Sequence, residues 1–540
     1  MDHALVHPGD RDKDAGDGAA RKNSARKHLV GRAAAAPASL RRKEAGESRL
    51  NWSVLFRNFA LNQRSLQVQI RQMIVAAIEE RRLAGHARMP SSRELALSLG
   101  VARNTVVLAY RQLVDEGFLE SRERSGYFVA DLYRGDAASP VRTETRARSV
   151  SGPDWSDRFG LTPSRQRNIV KKLDWLRYPF PFLYGQFDPS LFPTNDWRES
   201  ARGALSVLEI QNWARDLIDG DDPELIDQLR VHVLPRAGIF APPEEIIVTV
   251  GAQQALFMLA QLFLRKNTRI GIEDPGYADA RNIFGMISDR VVPLDVDLDG
   301  LVPSQEVAEC EYVYVTPAHH CPTTVSMPLR RRERLLELAR QNDVVIIEDG
   351  YESELSGESH GAPALRSLDA EGRVVYIGSF SKILAPGLRI GYVVAPAPVA
   401  RELRALRRLM LRHPPSNNQR AAALFLGLGH YKSHLRRVIH ALNERAELVE
   451  AALERHLPRW NRLRGAGASS FWLEGPLSLD CLALAHEAEK RGVLIEPGDV
   501  FFMGEAPPRN FLRLGFASIA RERIGAGIAA LGQAARALGN

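Results

Sequence analysis

Ser379-Phe380-Ser381-Lys382, followed by Gly387-Leu388-Arg389-Ile390-Gly391-Tyr392, is the stretch on which the reading of this 540-residue chain turns. A lysine amine that condenses with a phosphorylated aldehyde needs such surroundings. Hydroxyls and a guanidinium hold the phosphate while the amine attacks. Working upstream, Ile347-Glu348-Asp349-Gly350-Tyr351 ends an apolar run in a carboxylate, suited to keep a pyridine nitrogen protonated and the ring electron-withdrawing. Tyr351, two residues on, points to the same side and can donate to a phenolic oxygen. Tyr277, in Glu273-Asp274-Pro275-Gly276-Tyr277, follows another apolar run and can stack on a ring. Gly251-Ala252-Gln253-Gln254 sits between a strand pattern and an apolar helix, so the N–H groups of Ala252 and Gln253 open a helix where a phosphate binds. Each residue alone has a plainer reading: Asp349 as a loop cap, Tyr277 as core, Lys382 as a solvated lysine. Their common position after strands makes the set point to pyridoxal 5'-phosphate.

These motifs lie in a region of short apolar strands alternating with helical segments. Ile246–Val250, Arg269–Ile272, Tyr312–Val315, Val344–Ile347 and Val374–Ile377 are the strands, each followed by a polar or glycine-containing loop. That pattern predicts an α/β sheet with its chemistry at the strand carboxyl ends.

A second, unrelated signal lies far upstream. Apolar positions at helical spacing predict a helix over 66–83, and Ser91 with Glu94 forms a capping box that opens a short helix ending by Gly100. Val101 to Glu116 reads as a longer helix, and an alternating stretch broken at Ser125-Gly126 reads as a two-stranded wing. This is the order of a winged helix-turn-helix, an α+β module. Arg103, Asn104 and Thr105 fall at the entry of its second helix, where side chains meet base edges. Arginine's fork matches guanine O6 and N7. Arg93 stands in the first turn of the preceding helix, within reach of a phosphate or base, and Gly126 at the wing tip allows approach to the DNA backbone. The plainer alternative is a helical hairpin with solvated arginines.

Charge supports a polyanionic partner. The formal net charge is +7, split into about +8 for residues 1–134, about +4 for 135–178 and about −5 for the rest. The length implies more than one domain. Residues 1–50 read as a disordered leader, 51–131 as the DNA-binding domain, 132–178 as a linker and 179–540 as the large domain. No apolar run reaches membrane-spanning length, and no secretory signal opens the chain, so neither a membrane partner nor export is expected. Three scattered cysteines, Cys310, Cys321 and Cys481, suit a reducing cytoplasm. His319-His320-Cys321 has metal-ligand chemistry, but adjacent residues rarely converge on one ion and no second cluster follows, so no metal is expected.

The upstream motif resembles the winged helix-turn-helix of the GntR family of bacterial repressors, through Pro90, Ser91, Arg93, Leu95, Ala96, Gly100, Val101, Arg103, Thr105, Val106, Tyr110, Leu113, Glu116, Gly117, Gly126, Phe128 and Val129. Ala102 departs from the usual serine, and Arg124 from the usual first glycine of the wing. The remainder resembles a fold-type I aminotransferase, and the fusion as a whole is similar to the MocR/GabR subfamily of GntR regulators. Tyr184–Pro193 and Leu234–Ile239 fit that subfamily's entry segments. The resemblance implies Lys382 as the Schiff-base lysine, Asp349, Tyr351, Tyr277, Ser379, Ser381 and Arg389 as cofactor ligands, and Arg513 as the grip on an effector carboxylate. Related proteins read T-P-x-H-Q-x-P-T-G where this chain has Thr316-Pro317-Ala318-His319-His320-Cys321-Pro322-Thr323-Thr324. His320 thus stands at the expected cofactor face, in an altered effector pocket. Asp279 is a candidate partner for an effector amine.

The implied function is a homodimeric regulator that binds repeated half-sites in duplex DNA. It would sense an amino acid or aminosulfonate by external-aldimine formation at Lys382. The subfamily includes regulators of taurine, ectoine-derived and γ-aminobutyrate catabolism, and His320 points away from the last. The alternatives are a working aminotransferase with a DNA-binding appendage and a nucleic-acid module whose lysine domain is only a dimerisation scaffold.

Overall fold

The computed structural model describes residues 65–80, 82–131, 155–356 and 362–539. The expected leader over 1–50 lies outside them. The chain divides into two compact units, Met1–Gly152 and Pro153–Asn540.

In the first unit, α1 (Leu66–Glu79) buries Ile70, Met73, Ile74, Ala77 and Ile78 along one face. It ends short of the expected Leu83, which is nonetheless buried just beyond it. α2 (Ser92–Leu99) is capped at Ser91, whose hydroxyl accepts from Glu94 N at 3.2 Å, and stops at Gly100 in the left-handed region. α3 (Arg103–Asp115) starts two residues later than the pattern suggested, because Ala102 is extended and serves as its N-cap. Alanine has no oxygen to offer, and the cap has no side-chain hydrogen bond. Tyr110, fully buried on α3, donates to Pro90 O at 2.9 Å and ties this helix to the entry of α2. The wing is the antiparallel pair β1 (Leu119–Arg122) and β2 (Gly126–Val129), register Leu119 to Val129 and Arg122 to Gly126. Arg124 turns the wing at φ 59°, the geometry a glycine would adopt freely.

The larger unit is built on an eight-stranded sheet. Its strands are β3 (Ile246–Thr249), β4 (Ile270–Asp274), β5 (Val291–Asp297), β6 (Gly300–Leu301), β7 (Tyr312–Val315), β8 (Val345–Asp349), β9 (Val374–Ser379) and β10 (Gly391–Val394). They lie in the order β3-β10-β9-β8-β7-β4-β5-β6. The stretch from β9 through β8, β7 and β4 to β5 is parallel, while β10 runs antiparallel to both β9 and β3. Helices cover it; α4 (Ala252–Phe263) buries Leu256, Met258 and Leu259 against the sheet residues Ile247, Ile347 and Val393. A second sheet is formed by β11 (Asn461–Leu463), β12 (Ser470–Glu474), β13 (Glu496–Pro497) and β14 (Phe511–Gly515), in the order β11-β12-β14-β13.

The segment expected as a linker over 132–178 belongs in its second half to the larger unit's surface. Gln166 donates to Asn282 O at 3.0 Å, Asn282 donates back to Arg167 O at 2.9 Å, and Arg167 donates to Gly504 O at 3.2 Å. Its polar, aperiodic composition gives no sign of this docking, which uses irregular backbone rather than an amphipathic element.

Candidate functional site

The carboxyl ends of β7, β8 and β9, the start of α4 and strand β14 converge on a cavity of about 270 Å³. Lys382 follows β9 on a single 3-10 turn whose N-cap is Ser379; the Ser379 hydroxyl accepts from Ser381 N at 3.2 Å and donates to Ser381 Oγ at 3.0 Å. The Lys382 ammonium lies 4.0 Å from the Tyr184 ring centre and 5.9 Å from that of Tyr351. Burial first, then the positive charges of Lys171 and Arg513, pull its pKa down to about 7. A lysine so placed holds a large neutral, nucleophilic fraction near neutrality.

Asp349 closes β8, buried, and accepts a hydrogen bond from Tyr314 Oη at 2.9 Å. Burial raises its carboxyl to about 6, with the Tyr314 hydrogen bond and Lys382 working the other way. Tyr277 donates to Gln253 Oε1 and Asp279 Oδ2, both at 3.1 Å. At the opposite end, Gly251 (φ 77°) caps α4 and Arg389 reaches across to donate to Val250 O at 2.9 Å. A Cβ at Gly251 would lie 2.9 Å from Arg389 Nη2, so only glycine lets the guanidinium approach the helix start. Ala252, Gln253, Ser379, Ser381 and Arg389 all line this end of the cavity. Helix N–H groups, two hydroxyls and a guanidinium form an anion cradle. The cavity therefore fits pyridoxal phosphate: an amine for the aldehyde, a buried carboxylate for the pyridine nitrogen, and a cradle for the phosphate. When bound, the group would supply an electron sink for carbanion chemistry at an amino compound's α-carbon.

Two expected residues stand differently. His320 does not line the cavity, although Cys321 does. The His320 ring is buried behind it, with Nδ1 2.6 Å from Thr323 Oγ1 and Nε2 3.6 Å from Glu273 Oε2. The expected position of His320 at the cofactor face is thus corrected: its buried ring is held by Thr323 and lies beside Glu273 instead of lining the cavity. Arg513 on β14 does line the cavity, but Nε already donates to Glu496 Oε2 at 2.9 Å, and the guanidinium lies 4.1 Å from the Tyr184 ring centre.

Among the cavity residues to which the sequence reading gave no role are Tyr314, Tyr184, Glu352 and Lys171. Tyr314 faces Asp349 from β7, its Oη donating to Asp349 Oδ2 at 2.9 Å. Tyr184 and Glu352 are joined at 3.0 Å through Tyr184 Oη, and Lys171 arrives from the segment taken as linker. Among the described residues no group of histidines, cysteines and carboxylates is arranged to hold a metal ion.

In the smaller unit, Arg93, Arg103 and Asn104 are exposed, Thr105 is half-buried and Gly126 is exposed at the wing. The Arg103 Nε lies 3.4 Å from Ser92 Oγ, joining the starts of α2 and α3. The helix entry and the wing tip both present solvent-accessible donors.

Comparison with known proteins agrees with both halves. Residues 192–531 match the family described as aminotransferase class I and II, and residues 66–129 match the bacterial regulatory proteins of the gntR family. The chain is 44% identical over 476 residues to the HTH-type transcriptional regulator TauR of Rhodobacter capsulatus, covering 88% of this chain and 97% of that protein. It is 30% identical to the probable rhizopine catabolism regulatory protein MocR of Rhizobium meliloti, over 88% and 95% of the two chains. Among solved structures, the α-aminoadipate aminotransferase LysN of Thermus thermophilus, complexed with N-(5'-phosphopyridoxyl)-L-leucine, superposes with a TM-score of 0.65 at 28% identity, covering 72% of this chain and 99% of that one. A gntR-type helix-turn-helix unit in front of a class I/II aminotransferase unit, shared along nearly the whole of both regulators, makes this chain a member of the MocR/GabR subfamily of GntR transcription regulators.

Proposed function

We propose that the chain is a pyridoxal-phosphate-dependent transcription regulator that senses a small amino compound bearing an acidic group, an amino acid or aminosulfonate, and controls genes for its uptake or breakdown. The observation that carries this reading is the convergence of Lys382, Asp349 and the α4 anion cradle on one cavity in a chain that also holds a winged helix-turn-helix. Lys382 is assigned to the cofactor aldehyde and Asp349 to the pyridine nitrogen. Tyr351 is assigned to the phenolic oxygen and Tyr277 to the ring. Ala252, Gln253, Ser379, Ser381 and Arg389 are assigned to the phosphate, and Arg513 to the effector's acid. Arg93, Arg103, Asn104, Thr105 and Gly126 are assigned to DNA. An effector regulates only if it binds the DNA-competent and DNA-incompetent arrangements with different affinity.

The working form is a homodimer in the cytoplasm on an operator with repeated half-sites. In support of the dimer, Leu205, Val207 and Leu208 expose apolar side chains together near one helix start. No described helix is long and apolar enough to cross a membrane.

The test is the visible spectrum of full-length protein supplied with pyridoxal phosphate, before and after a panel of amino acids and aminosulfonates, with Lys382→Ala alongside and DNA binding measured in parallel. A lysine-dependent band that shifts stably with one compound and changes DNA affinity supports the sensor. Steady keto-acid production supports the second reading, an active aminotransferase, which the near-neutral pKa of Lys382 favours. No band in the wild type refutes both.

A further inference from the structure

Lys171 lies on the stretch of chain that leads from residues 132–154 of the DNA-binding side into the larger unit, yet its side chain ends inside the cavity. Its ammonium donates to Tyr184 O and stands 3.3 Å from Glu496 Oε1. Glu496 is simultaneously the partner of Arg513, through Oε2 at 2.9 Å. One buried carboxylate is therefore shared between two cations. A Cβ placed on Gly185 would lie 2.8 Å from Lys382 Nζ and 3.1 Å from Lys171 Nζ, so both amines converge beside one point of the cavity wall.

Among the described residues, Glu496 is the one carboxylate in ion-pair contact with Lys171 and with Arg513. Glu352 is engaged by Tyr184 Oη and Ser469 N, and Asp279, which also acts on Lys171, accepts from Tyr277. Arg513 spends Nε on Glu496, while Nη1 has only the Cys321 sulfur at 3.7 Å, a weak acceptor. Burial, foremost, lowers the pKa of Lys171, and Glu496 opposes that shift. Two cations that share one carboxylate keep donors, Arg513 Nη1 among them, that an oxyanion would satisfy.

We propose that Lys171 and Arg513 together form an oxyanion subsite beside Lys382, with Lys171 the residue that recognises the effector's carboxylate or sulfonate from the interdomain segment. This deepens the sensor reading and rests on it. Lysine supplies a point charge with three donors and arginine a planar fork, so the pair accepts either oxyanion. The anion's arrival thereby acts on the stretch of chain that continues into the DNA-binding unit.

The test titrates inorganic sulfate and, separately, acetate into full-length protein loaded with pyridoxal phosphate, at constant ionic strength and fixed pH, reading the visible band. An anion beside Lys382 favours its protonated form, so the band responds saturably. Lys171→Met is expected to raise the half-saturating concentration of whichever anion responds by roughly tenfold, the loss of one charge-assisted hydrogen bond. Lys171→Arg is expected to restore most of the response. Lys172→Met, at the exposed neighbour paired with Glu489, is expected to follow the wild type. Equal half-saturation in wild type and Lys171→Met overturns the subsite, as does a loaded wild type that responds to neither anion. A wild type with no lysine-dependent band refutes instead the cofactor assignment underneath.

Discussion

Replacing Lys382 by methionine is expected to stabilise the cofactor-free larger unit, and by an amount that falls as pH rises. Its pKa moves from the ordinary 10.5 in the unfolded chain to about 7 in the fold, because burial and the neighbouring Lys171 and Arg513 penalise the ammonium. The folded pKa lies below the unfolded one. Below about pH 7 the amine is charged in both states and the penalty is complete. Between about 7 and 10.5 the unfolded chain holds a proton that the fold has shed, so stability rises with pH; above 10.5 the penalty is gone. Each tenfold change in proton affinity corresponds to about 1.4 kcal/mol, which gives at most about 4–5 kcal/mol at neutral pH; water reaching the cavity screens this to about 2–4 kcal/mol. Methionine keeps the length and apolar stem without the charge, so packing changes little. The assay is urea unfolding of the full chain without cofactor, followed by tryptophan fluorescence, at pH 6, 7, 8 and 9. Six of the seven tryptophans lie beyond residue 153, so the signal reports the larger unit. The gain is expected to be largest at pH 6–7 and to shrink steadily above. A variant less stable than wild type at pH 6–7, or a gain that does not vary from pH 6 to 9, refutes the reasoning.

The same titration sets cofactor capture: the rate of band formation on adding pyridoxal phosphate should rise about tenfold per pH step up to about 7 and then level off, whereas an ordinary lysine would keep rising toward its own pKa near 10. Arg124→Gly should remove the cost of a non-glycine residue at φ 59° and steady the wing by about 1 kcal/mol, measured as slower amide exchange across β1 and β2. Ala102→Ser should supply the missing cap of α3 and add about 1 kcal/mol, measured by the exchange of the first α3 amides. Arg103→Ala should reduce the preference for a selected operator over random duplex by about 1–3 kcal/mol, measured as the ratio of the two affinities at one salt concentration.

The cavity was legible wherever its residues follow a strand directly. Asp349, Ser379 and Lys382 stand at or just after strand ends, and apolar runs announce those strands. Strand β5 was missed because Val291-Val292-Pro293-Leu294-Asp295-Val296-Asp297 mixes proline and aspartates into the run, and its burial is correspondingly partial. β10 was missed because it begins two residues after Arg389, itself in the left-handed region, so it reads as an extension of the lysine motif. Lys171, Tyr184, Glu352 and Glu496 belong to contacts between segments distant in sequence. Lys171 meets Glu496 across more than three hundred residues, and no periodicity encodes such a meeting.

The segment from Thr316 to Thr324 shows how a departure from the family pattern can preserve chemistry while changing identity. Threonine replaces the usual glycine at 324 yet keeps the left-handed backbone, φ 67°, at a cost of about 1–2 kcal/mol for a β-branched side chain. Two features offset it: the Thr324 hydroxyl accepts from Gly465 N at 2.9 Å, and the side chain is fully buried. The glycine that this crossing requires lies on the other strand of chain, since a Cβ at Gly465 would fall 1.9 Å from Thr324 O. His320 stands where the pattern has glutamine. Burial lowers its pKa to about 3 and raises that of its neighbour Glu273 to about 8. Between those values both are neutral. The exchange therefore adds no charge behind the cavity. The charged residues that line the cavity itself, Lys171 and Arg513 among them, are unaffected by this exchange.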